Sequence, residues 1–207
     1  MRATIPLFPL NLVVFPASKR PLHIFEERYK IMINDCLQNN TGFGITSIIN
    51  DKVSRIGSYV VITDVLKKYE NGEIDVVVQC KERIEIINTE AGINGFLLAD
   101  VTDFNDFGSE IDSNLLTKMK SKFDEIIGRV NMKLEDNFWQ NYEKSERKSF
   151  KLAEKAGLTL ELQQKLLSIR NENKRMKLII DHLEMLDEVI DENLAVRELV
   201  LGDGFIN

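Results

Sequence analysis

Few residues in this chain are equipped for chemistry, and their spacing limits what that chemistry can be. There are two histidines and two cysteines in 207 residues. A zinc site takes nitrogen and sulfur ligands at short spacings, which Cys36, Cys80, His23 and His182 do not provide. A catalytic thiolate needs a base or cation beside it. Cys36 falls on the apolar face of a predicted helix and Cys80 on the apolar face of a predicted strand, so both read as small buried hydrophobes. His23, between Leu22 and Ile24, reads as a strand residue with its ring packed or at the surface. His182, beside Asp181 and Glu184, reads as lying on a solvated helix side. Lys144-Ser145 and Lys148-Ser149 have the types of a Ser–Lys pair, but such a pair needs a desolvated lysine. The run Glu143, Lys144, Glu146, Arg147, Lys148 instead has the mixed charge of a solvated helix face. Asp181, Glu184, Asp187, Glu188, Asp191 and Glu192 follow helical spacing and lack the fixed offsets of a calcium loop. No GxxxxGK[ST] loop is present, and neither Gly42-Phe43-Gly44 nor Gly92-Ile93-Asn94-Gly95 opens a helix. The residues predict no catalytic group, no cofactor and no metal, so a protein that is not an enzyme.

The elements that carry these residues fall into two regimes. From about Thr4 to Phe104 the apolar period is mostly two. Ile5-Pro6-Leu7-Phe8 and Leu12-Val13-Val14-Phe15 are short runs bounded by proline, predicted as strand ends, edges or bulged pieces. Strands are predicted over Gly42 to Ile49, Ser58 to Leu66, Ile74 to Ile86 and Gly95 to Val101. Asn71-Gly72 marks a hairpin turn, and Glu82 breaks an apolar stripe, which predicts a bulge or exposed edge there. One helix interrupts this half: Phe25, Tyr29, Met32, Ile33 and Cys36 share a face, with Glu26 and Glu27 at its positive end. From about Ser113 the period becomes 3.6. Leu115, Met119, Phe123, Ile126, Ile127, Val130, Leu134 and Phe138 form one long stripe, in which Gly128 predicts a kink or a close contact. Further helices are predicted over Glu146–Ala156, Leu160–Ile169 and Glu172–Ile190, with Gly157 as a stop and Thr159 and Asn171 as caps. A last helix reaches about Leu201 and ends at Gly202 before a short tail. The fold class is α+β: a small β-barrel with one helix over 1–108, then an α-helical bundle over 109–207.

Composition narrows the function classes. The apolar fraction of 43% and charged fraction of 29% are globular values and argue against disorder. The net charge of −6 gives no electrostatic footprint for a general nucleic-acid or anionic-membrane binder. No stretch approaches the ~18 apolar residues of a membrane helix, and no secretory signal is visible, so a cytoplasmic location with reduced thiols is expected. Pro6, Pro9, Pro16 and Pro21 are the only prolines, so the first segment is punctuated and the rest is free to form long regular elements.

The proline-rich segment carries a family signature. The run Ile5-Pro6-Leu7-Phe8-Pro9-Leu10, then Val13-Val14-Phe15-Pro16, then Pro21-Leu22-His23-Ile24-Phe25-Glu26-Glu27-Arg28-Tyr29 resembles the N-terminal (LON) domain of ATP-dependent Lon proteases and its stand-alone relatives. Gly42-Phe43-Gly44-Ile45 and the strand into Arg83-Ile84 extend the likeness more weakly. Cys80 and Ile84 depart from it, standing where glycine and phenylalanine are common. Ser149–Ala153, Gln164–Leu167 and Arg175–Ile179 are similar to the helical half of that domain. The resemblance implies a PUA-like β-barrel followed by a helical bundle. In full Lon proteases this region helps recognise substrates and organise the oligomer, and the ATPase and protease domains come later in the chain. Their absence here predicts that neither activity carries over.

The function expected from this resemblance is a non-catalytic module that binds unfolded or extended polypeptide segments. Possible protein partners are a protease or chaperone, or a second copy of the chain. Phe8, Leu10, Val14, Phe15 and Leu22 are the candidate peptide-binding residues, some of them exposed in an apolar groove between barrel and bundle. Phe25 and Tyr29 are expected to anchor the first helix on the barrel. The alternative is a PUA-like RNA-binding module, supported only by Lys19, Arg20, Arg28 and Lys30.

Overall fold

The computed structural model describes residues 2–108 and 110–202, with side chains placed over 3–108 and 110–192. In chain order the elements are β1 (Arg2–Leu10), β2 (Lys19–Ile24), α1 (Glu27–Asn39), β3 (Phe43–Ile49), β4 (Lys52–Val53), β5 (Ile56–Lys68), β6 (Ile74–Ala91) and β7 (Leu97–Asp103). Five helices follow: α2 (Ser113–Arg129), α3 (Phe138–Lys144), α4 (Lys148–Ala153), α5 (Leu160–Leu167) and α6 (Glu172–Gly202). The α+β class read from the change of period is the one observed. Two compact units form. The first holds the chain up to Phe107 together with Leu158–Arg170; the second holds Gly108–Gly157 and the chain from Asn171.

The first unit is a closed sheet. The strand order β1-β7-β6-β5-β3 returns to β1, because β1 pairs antiparallel with β7 and parallel with β3. Prolines are tolerated in β1 because no stretch of it is central throughout. Arg2–Leu7 pairs with β7 and Leu7–Leu10 with β3, so the strand hands over near Leu7 and each proline lacks a neighbour on one side. Gly72, with φ +81, makes the β5–β6 turn. The bulge expected near Glu82 is present: Tyr59 pairs with Glu82 and Val60 with Cys80, which leaves Lys81 as the extra residue.

The segment Leu12–Phe15 forms no strand. Val13, Val14 and Phe15 are buried in irregular chain, and the oxygens of Val14 and Phe15 find donors outside any strand ladder. Val14 O accepts from Ser58 Oγ at 2.6 Å, and Phe15 O accepts from Ser18 N and Oγ at 3.0 and 2.7 Å. Helix α1 buries Tyr29, Met32, Ile33 and Cys36 against this core, with Phe8 stacked on Tyr29 at 3.9 Å between centroids. Phe25 does not join them. The helix begins at Glu27 with Glu26 as N-cap, so Phe25 lies ahead of it in extended chain and is 60% exposed.

Helix α5 belongs to this unit. Buried Gln164 donates to Ile56 O at 2.9 Å and accepts from Ser47 Oγ at 2.8 Å. Fully buried Arg83 donates to Leu167 O and Ile169 O at 2.7 and 2.8 Å and pairs with Asp106. These carbonyls are at the end of α5, where helix oxygens lack intrahelical donors.

In the second unit α2 packs on α6. The buried face of α2 is Met119, Phe123, Ile126 and Ile127, and Met176, Ile179, Ile180 and Leu183 are buried on α6. The stripe expected to run unbroken to Phe138 is interrupted: α2 ends at Arg129, Asn131 takes φ 51, and Phe138 opens α3. Val130 is 49% exposed, and a Cβ on Gly128 would meet nothing within 4 Å. Gly128 is thus the next-to-last residue of α2, with open space where a Cβ would stand. Asp112 caps α2 through Asn114 N and Leu115 N, and Thr159 caps α5 through Leu162 N.

Candidate functional site

The residues equipped for chemistry are largely committed to packing. Cys36 and Cys80 are buried, and burial pushes the Cys36 thiol up, away from a thiolate at neutral pH. His182 is buried, not solvated: its Nε2 lies 2.9 Å from Ala156 O. The acidic neighbours that suggested solvent project from other sides of α6. Lys148 and Ser149 do not form a pair. Lys148 Nζ donates to the carbonyls of Tyr142, Glu143 and Ser145 at 3.0, 2.9 and 3.3 Å, closing the end of α3. Ser149 is fully buried, and its Oγ donates to Glu172 at 2.8 Å. Glu172 is also paired with buried Arg175, so the serine belongs to a buried ionic knot. Among the described residues no group of three or more His, Cys, Asp or Glu could hold a metal ion.

The motif residues divide by depth. Phe8, Val14 and Phe15 are core, at 6, 1 and 1% exposure. Leu10 and Leu22 are half-buried at its margin. Along β2, Arg20, Leu22 and Ile24 turn inward, while Lys19, Pro21 and His23 are exposed. Strand β2 pairs only with β6 among the described residues. Its other edge is thus unpaired, but Lys19 and Pro21 on it are two devices that discourage a further strand from adding.

His23 anchors that edge strand. Its Nδ1 lies 2.6 Å from Asp75 Oδ1 and its Nε2 3.3 Å from Glu73 Oε2. Tyr69 donates to Asp75 Oδ2 at 2.8 Å. The imidazole stacks with Phe25 at 6.0 Å and meets the Tyr69 ring edge-on at 5.8 Å, and Lys67 lies over the far ring at 4.2 Å. The hydrogen bond with His23, then that from Tyr69, holds the Asp75 carboxyl below its ordinary value. The bond to Asp75 correspondingly raises Tyr69. Both imidazole nitrogens meet carboxylates and neither meets a hydroxyl or thiol nucleophile, so the cluster fastens β2 to the β5–β6 hairpin. No sequence signal pointed to it, because His23 and Asp75 meet only through the β2–β6 register.

The second unit holds an apolar trough that sequence reading missed. Its cavity is about 240 Å³, and its walls are Phe123, Ile126, Ile127, Val130, Met132, Leu183, Leu186 and Ile190. Lys155 is its one charged wall residue, and that ammonium is turned to Glu135 at 3.3 Å. Val130 and Met132 stand on the rim, 49 and 36% exposed. The end of α2 borders this opening: Val130 closes the helix with its N–H still bonded to Ile126 O, and past the turn at Asn131 the Met132 N–H bonds back to Ile127 O, which sets Met132 on the same rim. Among the described residues no helix is long and apolar enough to cross a membrane, so the trough is not part of such a span.

Solved structures share this fold. A Lon N-terminal domain protein from Xanthomonas campestris superposes with a TM-score of 0.68 at 20% identity, covering 86% of this chain and 98% of that one. The N-terminal domain of Lon protease from the Mycobacterium avium complex superposes with a TM-score of 0.65 at 15% identity, covering 88% and 98%. No curated protein matches by sequence. Residues 4–185 match the family described as the ATP-dependent protease La (LON) substrate-binding domain. The proline-punctuated first strands, the closed sheet and the helical unit are therefore those of one known family, and the chain belongs to the LON substrate-binding domain family.

Proposed function

We propose that this chain is a non-catalytic module that binds extended apolar segments of other polypeptides through the trough of its second unit. The observation that carries the reading is the trough's composition. Its walls are apolar save for one lysine already paired, and two rim side chains are left in water. Contiguous apolar surface of that kind marks a binding site, and methionine at the rim adapts to varied side chains. Such a surface selects apolar character without reading sequence, as recognition of unfolded protein requires. Within the first unit, taken by itself, Leu10 and Leu22 are the motif residues left half-buried for apolar contact. The commitment of both thiols, both histidines and Ser149 to structural contacts supports the non-catalytic part. The net charge of −6 weighs against the RNA-binding alternative.

The test is binding of a reduced, carboxymethylated polypeptide carrying a fluorescent label, followed by anisotropy. Val130→Asp and Met132→Asp place charge on the rim without altering buried positions. Each removes about 1–2 kcal/mol of apolar contact and desolvates a carboxylate. Their combination is expected to weaken binding by about tenfold or more while leaving the thermal midpoint in place. Unchanged affinity in the double variant, or no binding by the wild type at tens of micromolar, overturns the proposal.

A further inference from the structure

A second cleft, of about 600 Å³, opens elsewhere in the helical unit, between the exposed side of α2 and the start of α3. Trp139, Tyr142 and Glu143 form its distinctive wall. The two rings meet edge to face at 5.6 Å between centroids. The ammonium of Lys120 occupies this corner: it lies 5.2 Å from the Trp139 ring, 5.5 Å from the Tyr142 ring and 2.6 Å from Glu143 Oε1. Two aromatic faces and a carboxylate are the elements that hold a cation out of bulk water. Lys120 fills the corner from the rim on a flexible stem that is 45% exposed. It can therefore leave at the cost of one exposed ion pair and its two ring contacts, which an incoming ammonium makes again.

The other charges of the cleft favour replacement by another cation. Lys148 is 5.0 Å from the Tyr142 ring on its own account, but its protons serve the three carbonyls at the end of α3. It is 3.8 Å from Glu143, a long contact. Asp124 adds a second carboxylate to the lining. With Lys120 withdrawn, two carboxylates face one ammonium that is already engaged. The Glu143 carboxyl is held below its ordinary value, first by the hydrogen bond from Lys120. The Tyr142 side chain is buried and its hydroxyl has no hydrogen-bond partner among the described residues, so what it offers the cleft is the ring surface that Lys120 and Lys148 now cover.

The geometry points to the Trp139–Tyr142–Glu143 corner as a binding site for the ammonium of a lysine side chain on a partner polypeptide, which takes the place held by Lys120. The inference does not rest on the trough. It assigns a second, charge-reading contact, with Lys120 as a tethered competitor that sets a threshold for outside lysines.

Trp139 is the only tryptophan, so its emission reports on this corner directly. The probes are a blocked pentapeptide with one central lysine and its acetyl-lysine counterpart, titrated against the full chain. Lys120→Ala empties the corner. That variant is expected to respond to the lysine peptide at a concentration at least fivefold below the wild type's, and not to respond to the acetyl-lysine peptide. Adding Glu143→Gln is expected to weaken the response at least tenfold. Lys120→Met, which keeps the stem and drops the charge, checks that vacancy rather than altered folding is responsible, and melting curves verify each variant. Equal response to both peptides, no gain on removing Lys120, or no loss on neutralising Glu143 overturns the inference. Val130→Asp is expected to leave this response unchanged, so failure of the trough and failure of the cleft remain distinguishable.

Discussion

Arg83 offers the sharpest test of how the first unit is held together. Its side chain is fully buried, yet it carries a permanent charge. That charge is tolerated because the guanidinium fork meets Asp106 and the carbonyls of Leu167 and Ile169, while its face lies 4.9 Å from the Phe104 ring. Replacing it with methionine keeps most of the volume and removes every donor. The carbonyls of Leu167, the last residue of α5, and of Ile169 just beyond it then lose a charged donor at about 1–2 kcal/mol each. Asp106, whose side chain is 22% exposed, recovers part of its solvation from water, so its share is small. The sum is about 2–4 kcal/mol, overlapping the lower part of the range for breaking a buried pair by removing one partner. For a protein of this size it lowers the melting temperature by roughly 4–16 °C. Because the lost bonds clip α5 to the sheet, hydrogen exchange should accelerate first over Leu158–Arg170. The assay is chemical unfolding of wild type and Arg83→Met, with peptide-resolved exchange under native conditions. A loss below about 1 kcal/mol, or exchange that rises evenly over the unit, would refute the idea that Arg83 fastens this helix.

Other perturbations read other parts of the structure. Asp75 has its folded pKa depressed by His23 and Tyr69. Its contribution is therefore full above the ordinary value of 3.8 and is lost as pH falls through the lower folded value. Asp75→Asn should flatten the acid limb of a plot of melting temperature against pH relative to the wild type, and identical acid limbs would contradict the clamp. The buried Tyr142 hydroxyl lacks a partner among the described residues, and burial pushes its pKa up to about 12, with Glu143 and Glu172 adding to the rise. Tyr142→Phe should leave stability unchanged or raise it by up to about 1 kcal/mol. A loss of more than that in denaturant titration would show that the hydroxyl is satisfied.

Much of the first unit was legible along the chain. Alternation in β6 gave the buried row Ile74, Val76, Val78 and Cys80, because a strand's faces are fixed by residue parity alone. Asn71-Gly72 gave the turn because positive φ is a local property of the residue. Helix caps at Thr159 and Asn171 were readable for the same reason: Leu162 N bonds Thr159 Oγ1 and Lys174 N bonds Asn171 Oδ1, each three residues away. Phe25 misled because its spacing fits the α1 stripe, yet the helix starts two residues later. His182 misled because charged neighbours in sequence occupy other faces of a helix.

What local pattern could not decide was which distant residues meet. Sequence alone determined the change from sheet to helix, the proline-punctuated opening and the family signature, since these depend on backbone preference and on spacing over a few residues. Tertiary structure decided that Arg83 holds the end of α5, that His23 finds Asp75, and that Ser149 pairs with Glu172. It also decided that the end of α2 and the α6 residues Leu183, Leu186 and Ile190 line one apolar trough and that Lys120 sits between Trp139 and Glu143. Each is a contact across long sequence separation, set by strand register or helix packing, and a buried charge or an open groove exists only once those distant surfaces have met.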